Sequence, residues 1–135
     1  MKEIKTENAP GAIGPYSQGI QVGNLPLSNS VQSGNMIFVS GQLPLCAKTG
    51  EIKTEIKEAT KLMLENMKAV LAESGATMKN VVKVTVFMSD LEMFTDMNSV
   101  YQQYFEKPYP ARSCVQVARL PKDVLVEAEC IAVMQ

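Results

Sequence analysis

The run Val81-Val82-Lys83-Val84-Thr85-Val86-Phe87-Met88 constrains the fold more than any other segment. Its β-branched and aromatic residues read as a strand, and successive strand side chains point to opposite faces. Here both faces are largely apolar, with Val82, Val84 and Val86 opposing Val81, Thr85 and Phe87. A sheet containing this strand needs cover on both sides. The rest of the chain offers two candidate helices. From Glu55 to Ser74, the residues Ile56, Ala59, Met63, Met67, Val70 and Leu71 fall on one helical face. Gly75 follows, where a left-handed C-terminal cap favours glycine. Asp90 can cap a second helix, with Phe94, Met97, Tyr101, Tyr104 and Phe105 along its inner stripe and Pro108 and Pro110 to stop it.

Further strands are expected at about 2–6, 18–22, 36–40, 112–117 and 124–133. The order β–β–β–α–β–α–β–β predicts an α+β mixed sheet. Two right-handed crossovers running the same way place both helices on one face. The other face is then bare, an aggregation hazard in a monomer. Self-association through it is expected.

Composition narrows the function. The 135 residues suit one domain spanning 1–135, and 46% hydrophobic with 20% charged residues is a soluble globular balance. No apolar run approaches the roughly 20 residues of a membrane span, and the N-terminus lacks the pattern of a signal peptide. Cys46, Cys114 and Cys130 are odd in number and widely spaced, which points to a reducing, cytoplasmic setting. With no histidine and no Cys-x-x-Cys pair, no metal site is expected. The net charge of −1, from 13 basic and 14 acidic residues interleaved, gives no footprint for nucleic acid.

Chemistry gathers around Tyr109-Pro110-Ala111-Arg112-Ser113-Cys114-Val115. An arginine among small and apolar strand residues needs an anionic partner, since an unpaired buried cation is costly. That partner is either an internal Asp or Glu, or a ligand carboxylate gripped by two parallel hydrogen bonds. Cys114 shares the face of Arg112; without a histidine to activate it, it reads as a small core residue more readily than as a nucleophile. Glu127 and Glu129 share a face of the last strand. They are either half-buried acids or bases, or a solvated strand edge. Tyr16, in Gly14-Pro15-Tyr16-Ser17-Gln18, either packs or offers its hydroxyl to a ligand. Ser40 and Gly41 end a strand and can cradle a small ligand through backbone N–H groups.

Together these blocks resemble the RidA family of reactive-intermediate (enamine/imine) deaminases, also called L-PSP endoribonucleases. The resemblance runs from Thr6-Glu7-Asn8-Ala9-Pro10-Gly11-Ala12-Ile13-Gly14-Pro15-Tyr16-Ser17-Gln18 through Phe38-Val39-Ser40-Gly41-Gln42-Leu43-Pro44. It continues over Val82–Phe87, Asp90-Leu91, Phe94, Asn98, Tyr101 and Phe105 to Pro110-Ala111-Arg112-Ser113-Cys114-Val115. It closes on Val117-Ala118-Arg119-Leu120-Pro121-Lys122-Asp123 and Glu127-Ala128-Glu129. It implies a chorismate-mutase-like fold, a homotrimer with pockets between subunits, and a final strand placed inside the sheet rather than in a hairpin with its neighbour.

By the same resemblance, Arg112 binds the substrate carboxylate and Glu127 acts on the attacking water. Tyr16, Ser40, Gly41, Asn98 and Cys114 match pocket positions. The implied reaction is cofactor-free hydrolysis of 2-imino acids, arising from enamines such as 2-aminoacrylate, to 2-oxo acids and ammonia. A non-catalytic carboxylate-binding regulator and, less favoured, an endoribonuclease or translation inhibitor are the competing readings. The stretch 24–35 is longer than the turn usual there in the family; it either protrudes as a ribbon or covers the cleft, and it bears on substrate range more than on reaction type.

Overall fold

A computed structural model of the chain describes residues 1–23 and 35–134. The long stretch singled out above lies, but for Asn35, outside the described residues. Among the described residues six strands, β1 (Lys2–Ile4), β2 (Gly19–Val22), β3 (Met36–Gln42), β4 (Val81–Met88), β5 (Ala111–Gln116) and β6 (Val126–Val133), form one sheet in the order β1-β2-β3-β6-β4-β5. Helix α1 (Ile56–Glu73) links β3 to β4, and α2 (Phe94–Tyr101) links β4 to β5. The β4–β5 pair is parallel and the other pairs are antiparallel, so this is an α+β fold on a mixed sheet. β6 enters between β3 and β4 rather than pairing with β5. Its buried run of Val126, Ala128, Cys130 and Ala132 suits a central strand better than an edge.

α1 forms where the apolar spacing places it. Ile56, Ala59, Met63, Met67, Val70 and Leu71 are all buried against the sheet. The Glu55 carboxylate accepts the N–H groups of Lys57 and Glu58, each at 3.0 Å, and so caps the first turn. Gly75 closes the far end at φ +80°. There a side chain would be strained.

α2 is shorter than its apolar stripe suggests. Asp90 caps a 3-10 turn, Leu91–Met93, and the α-helix proper ends at Tyr101, well before Pro108. Three-residue turns (Gln103 N–H to Val100 O, Tyr104 N–H to Tyr101 O, both 3.0 Å) tighten its end, so Tyr104 and Phe105 lie beyond it. Phe105 still stacks on Tyr101, ring centroids 4.6 Å apart.

β4 departs from simple alternation. Its register against β6 shifts between Val81 and Lys83. The irregularity puts Val81, Val84, Val86 and Met88 on the helix side and leaves Val82 47% exposed. Val82 therefore does not share the covered face of Val84 and Val86, contrary to strict period two. The opposite, open face carries Phe38, Ser40, Lys83, Thr85, Phe87, Ser113, Val115, Glu127, Glu129 and Ile131. Phe38 and Val115 there are 41% and 43% exposed. Among the described residues no helix is long and apolar enough to cross a membrane.

Candidate active site

The expected site residues fall into two groups on opposite faces of the sheet. Arg112 and Cys114 on β5 are in register with Val84 and Val86 of β4, so both point to the helix side. There α2 presents Phe94, Asn98 and Tyr101, spaced i, i+4, i+7 and therefore on one helical face. Arg112 Nη1 donates to Asn98 Oδ1 at 2.8 Å. The guanidinium carbon lies 4.5 Å from the Tyr101 ring centroid and 5.4 Å from that of Phe94. The side chain is half-buried and, among the described residues, pairs with no carboxylate. A guanidinium has five N–H donors, and one of them is used. The arginine is neither dispersed into solvent nor neutralised by an internal acid.

Cys114 is half-buried against the core beside it. Burial pushes its thiol up, and nearby Arg112 offsets this in part. A protonated, partly covered thiol is a poor nucleophile.

The second group lies on the open face. Glu127 stands in register with Phe87. Its half-buried carboxyl is pushed above the ordinary carboxylate value by burial first and by neighbouring Glu129 second. Glu129 itself is exposed. The Glu127 carboxylate lies directly over the backbone of Gly41, where any β-carbon would collide with it. Glycine at 41 is therefore the condition for Glu127 to sit where it does. We expect Gly41→Ala to displace this flexible carboxylate and leave the fold intact. If Glu127 acts at this site, turnover there should fall about 10²-fold, the scale of a group misplaced by an ångström, with an unchanged melting curve; steady-state kinetics and circular dichroism check both.

Two polar anchors fix the loops around Glu127. The buried Gln18 amide bonds Thr6 N–H at 2.7 Å and the carbonyls of Thr6, Ala9 and Pro10 at 3.1, 3.2 and 2.7 Å, which orders the Gly/Pro-rich approach to Tyr16. Asn66 on α1 donates to the carbonyls of Leu43 and Leu45, both at 2.9 Å, and holds the chain just after Gly41. Ser40 is tied down twice, with Oγ donating to Ser17 O at 2.6 Å and its N–H to Gln18 O at 3.0 Å. Tyr16 is half-exposed and borders, with Gly41 and Lys122, a hollow of about 40 Å³. A larger cavity of about 760 Å³ lies by Lys79, Phe105 and Pro108 and includes none of these residues. Its size alone does not make it the reactive centre.

Phe94 and Tyr101 read from sequence as core stripe. Their shared helical face with Asn98 was the signal that they meet whatever Asn98 meets. Among the described residues no group of three or more His, Cys, Asp or Glu side chains is placed to hold a metal ion.

The family model for Endoribonuclease L-PSP matches residues 6–134. The chain belongs to the L-PSP endoribonuclease, or RidA, family. Among curated L-PSP family relatives, a RutC family protein of Pyrococcus abyssi is 54% identical over 96% of this chain and 94% of its own length. The 2-iminobutanoate/2-iminopropanoate deaminase of Escherichia coli (strain K12) is 45% identical over 98% of this chain and 97% of its own. Among solved L-PSP structures, E. coli TdcF with bound serine superposes at TM-score 0.86, with 47% identity and complete coverage of both chains.

Proposed function

We propose that this protein is a cofactor-independent imine hydrolase that converts small 2-imino acids, such as 2-iminobutanoate and 2-iminopropanoate, to 2-oxo acids and ammonia. The observation that carries the reading is a half-buried arginine held by a neutral amide and two rings, with its charge uncompensated. Such a guanidinium suits a small carboxylate. Support comes from the E. coli deaminase named above and from serine, a carboxylate-bearing ligand, in E. coli TdcF.

The second component of the reading is assembly. Arg112 and Glu127 lie on opposite sheet faces, so one chain cannot direct both at one ligand. We propose a homotrimer of chains each folded as one domain over 1–135. In each intersubunit cleft, Arg112, Asn98 and Cys114 of one chain meet Tyr16, Ser40, Gly41 and Glu127 of the next. Pairing of unlike surfaces closes as a ring, and the open face, with its exposed Phe38 and Val115, supplies the contact.

The chemistry then follows from position. Arg112 fixes the carboxylate and thereby the adjacent C=N carbon. Glu127 takes a proton from water as the oxygen attacks that carbon, and returns it to the nitrogen. In the carbinolamine so formed, Glu127 moves the hydroxyl proton to the nitrogen as the C–N bond breaks, which forms the C=O of the 2-oxo acid and releases ammonia. The imine is already electrophilic, so positioning and proton transfer suffice. The test generates imines with an amino acid oxidase, across a panel of amino acids, and traps them with semicarbazide. Faster loss of the trapped product with wild-type protein supports the reading; no acceleration on any imine rejects it, and retained 2-oxo acid binding would then favour a non-catalytic sensor.

A further inference from the structure

We infer that Tyr101 is a positioning residue for the carboxylate clamp, its ring forming with Phe94 an aromatic cradle that holds the Arg112 guanidinium in the orientation set by Asn98. The inference deepens the reading of Arg112 as substrate clamp and rests on it. A free arginine side chain explores many rotamers, and that freedom is lost each time it grips a ligand. Here three groups restrain it before any ligand arrives. The Tyr101 and Phe94 rings, 4.5 and 5.4 Å from the guanidinium carbon, lie within the range of cation–π attraction. The Asn98 carbonyl oxygen takes one N–H at 2.8 Å.

All three restraints are neutral. A carboxylate at position 98 would hold the arginine as well, but would cancel the charge that an incoming anion needs. Rings and an amide hold the cation and leave it attractive. The hydroxyl of Tyr101 sharpens the point. The residue is 6% exposed, and its oxygen is buried with no hydrogen-bond partner among the described residues. Burial raises its pKa to about 12, so it is neither an acid nor a base near neutrality. A buried hydroxyl without a partner is a cost to the fold. The ring is therefore the part of Tyr101 that serves the site, 4.5 Å from the Arg112 guanidinium carbon, and the Phe105 ring packs on it, tilted by 36° at 4.6 Å.

The experiment compares Tyr101→Leu, Tyr101→Phe and Phe94→Leu with wild type and with Arg112→Ala. Each is measured for kcat/KM of imine hydrolysis, for 2-oxobutanoate affinity by calorimetry, and for thermal melting. Tyr101→Leu should weaken both kcat/KM and 2-oxobutanoate binding by about tenfold, the scale of one desolvated cation–π contact. Tyr101→Phe keeps the ring and should restore at least about half of both, with no loss of melting temperature once the orphaned hydroxyl is gone. Phe94→Leu, at the more distant ring, should cost about threefold, and decides the matter if Tyr101→Leu fails to fold. Folded Tyr101→Leu, or Phe94→Leu in its place, with wild-type kinetics and affinity would overturn the cradle. So would Tyr101→Phe as impaired as Tyr101→Leu, since the hydroxyl would then be the working group. Full activity in Arg112→Ala would instead sink the underlying clamp, a result distinguishable from failure of the cradle alone.

Discussion

Arg112→Ala is expected to lower kcat/KM for imine hydrolysis by about 10³-fold, the scale of losing one partner of a desolvated charge pair. The loss should appear in both KM and kcat. In the proposed mechanism the guanidinium binds the carboxylate in the ground state, and it also sets where the C=N carbon sits for attack. Arg112→Lys should recover little of this, because an ammonium is a point charge without the planar fork. Stability should change only modestly: losing the hydrogen bond to Asn98 and the contacts with the Tyr101 and Phe94 rings is offset by removing a half-buried cation that has no ion pair among the described residues. The imine-trapping assay with matched melting curves reads both quantities. Near-normal kcat/KM in Arg112→Lys would mean that charge alone, not the fork, recruits the substrate.

The second large effect is expected at Glu127. Glu127→Gln should lower kcat by about 10²–10⁴-fold, the range for a general acid–base group, while 2-oxo acid binding holds or tightens slightly as a negative charge leaves the cleft. The pH profile gives a sharper signature. As the proposed base, Glu127 must be deprotonated to take a proton from water, so turnover should fall as pH drops through its pKa. Burial and Glu129 raise that pKa above the ordinary 4.5. The acid limb of the wild-type profile should therefore lie higher than an exposed carboxylate would place it, and the Gln variant should lack that limb. The difference between the two profiles isolates this group from protonation of the imine itself.

The elements were largely legible from sequence because their signals are local. The 3.6-residue spacing of Ile56 to Leu71 and the β-branched run at Val81 are properties of neighbouring residues, and the structure places a helix and a strand there. Two details were illegible for the same reason. α2 ends at Tyr101 without a glycine or proline to announce it, and one irregularity in β4 turns Val82 to solvent. Neither is encoded in periodicity. At the candidate site, residue types could be read but not their sides. That Arg112 and Glu127 face apart depends on β6 entering between β3 and β4 and on its register, which are long-range facts. The rings beside Arg112 were hidden because an apolar helical stripe looks alike whether it packs a core or carries a cation.

The most direct measurement of a cleft built from two chains is subunit mixing. Arg112→Ala and Glu127→Gln chains, each expected to be nearly inactive alone, are unfolded, combined in equal amounts and refolded, with sedimentation used to check that the proposed trimer forms. If each site takes its arginine from one chain and its carboxylate from the next, random mixing leaves about one interface in four with both groups intact. About a quarter of wild-type activity should return. Mixed trimers that remain as inactive as their parents would contradict the account.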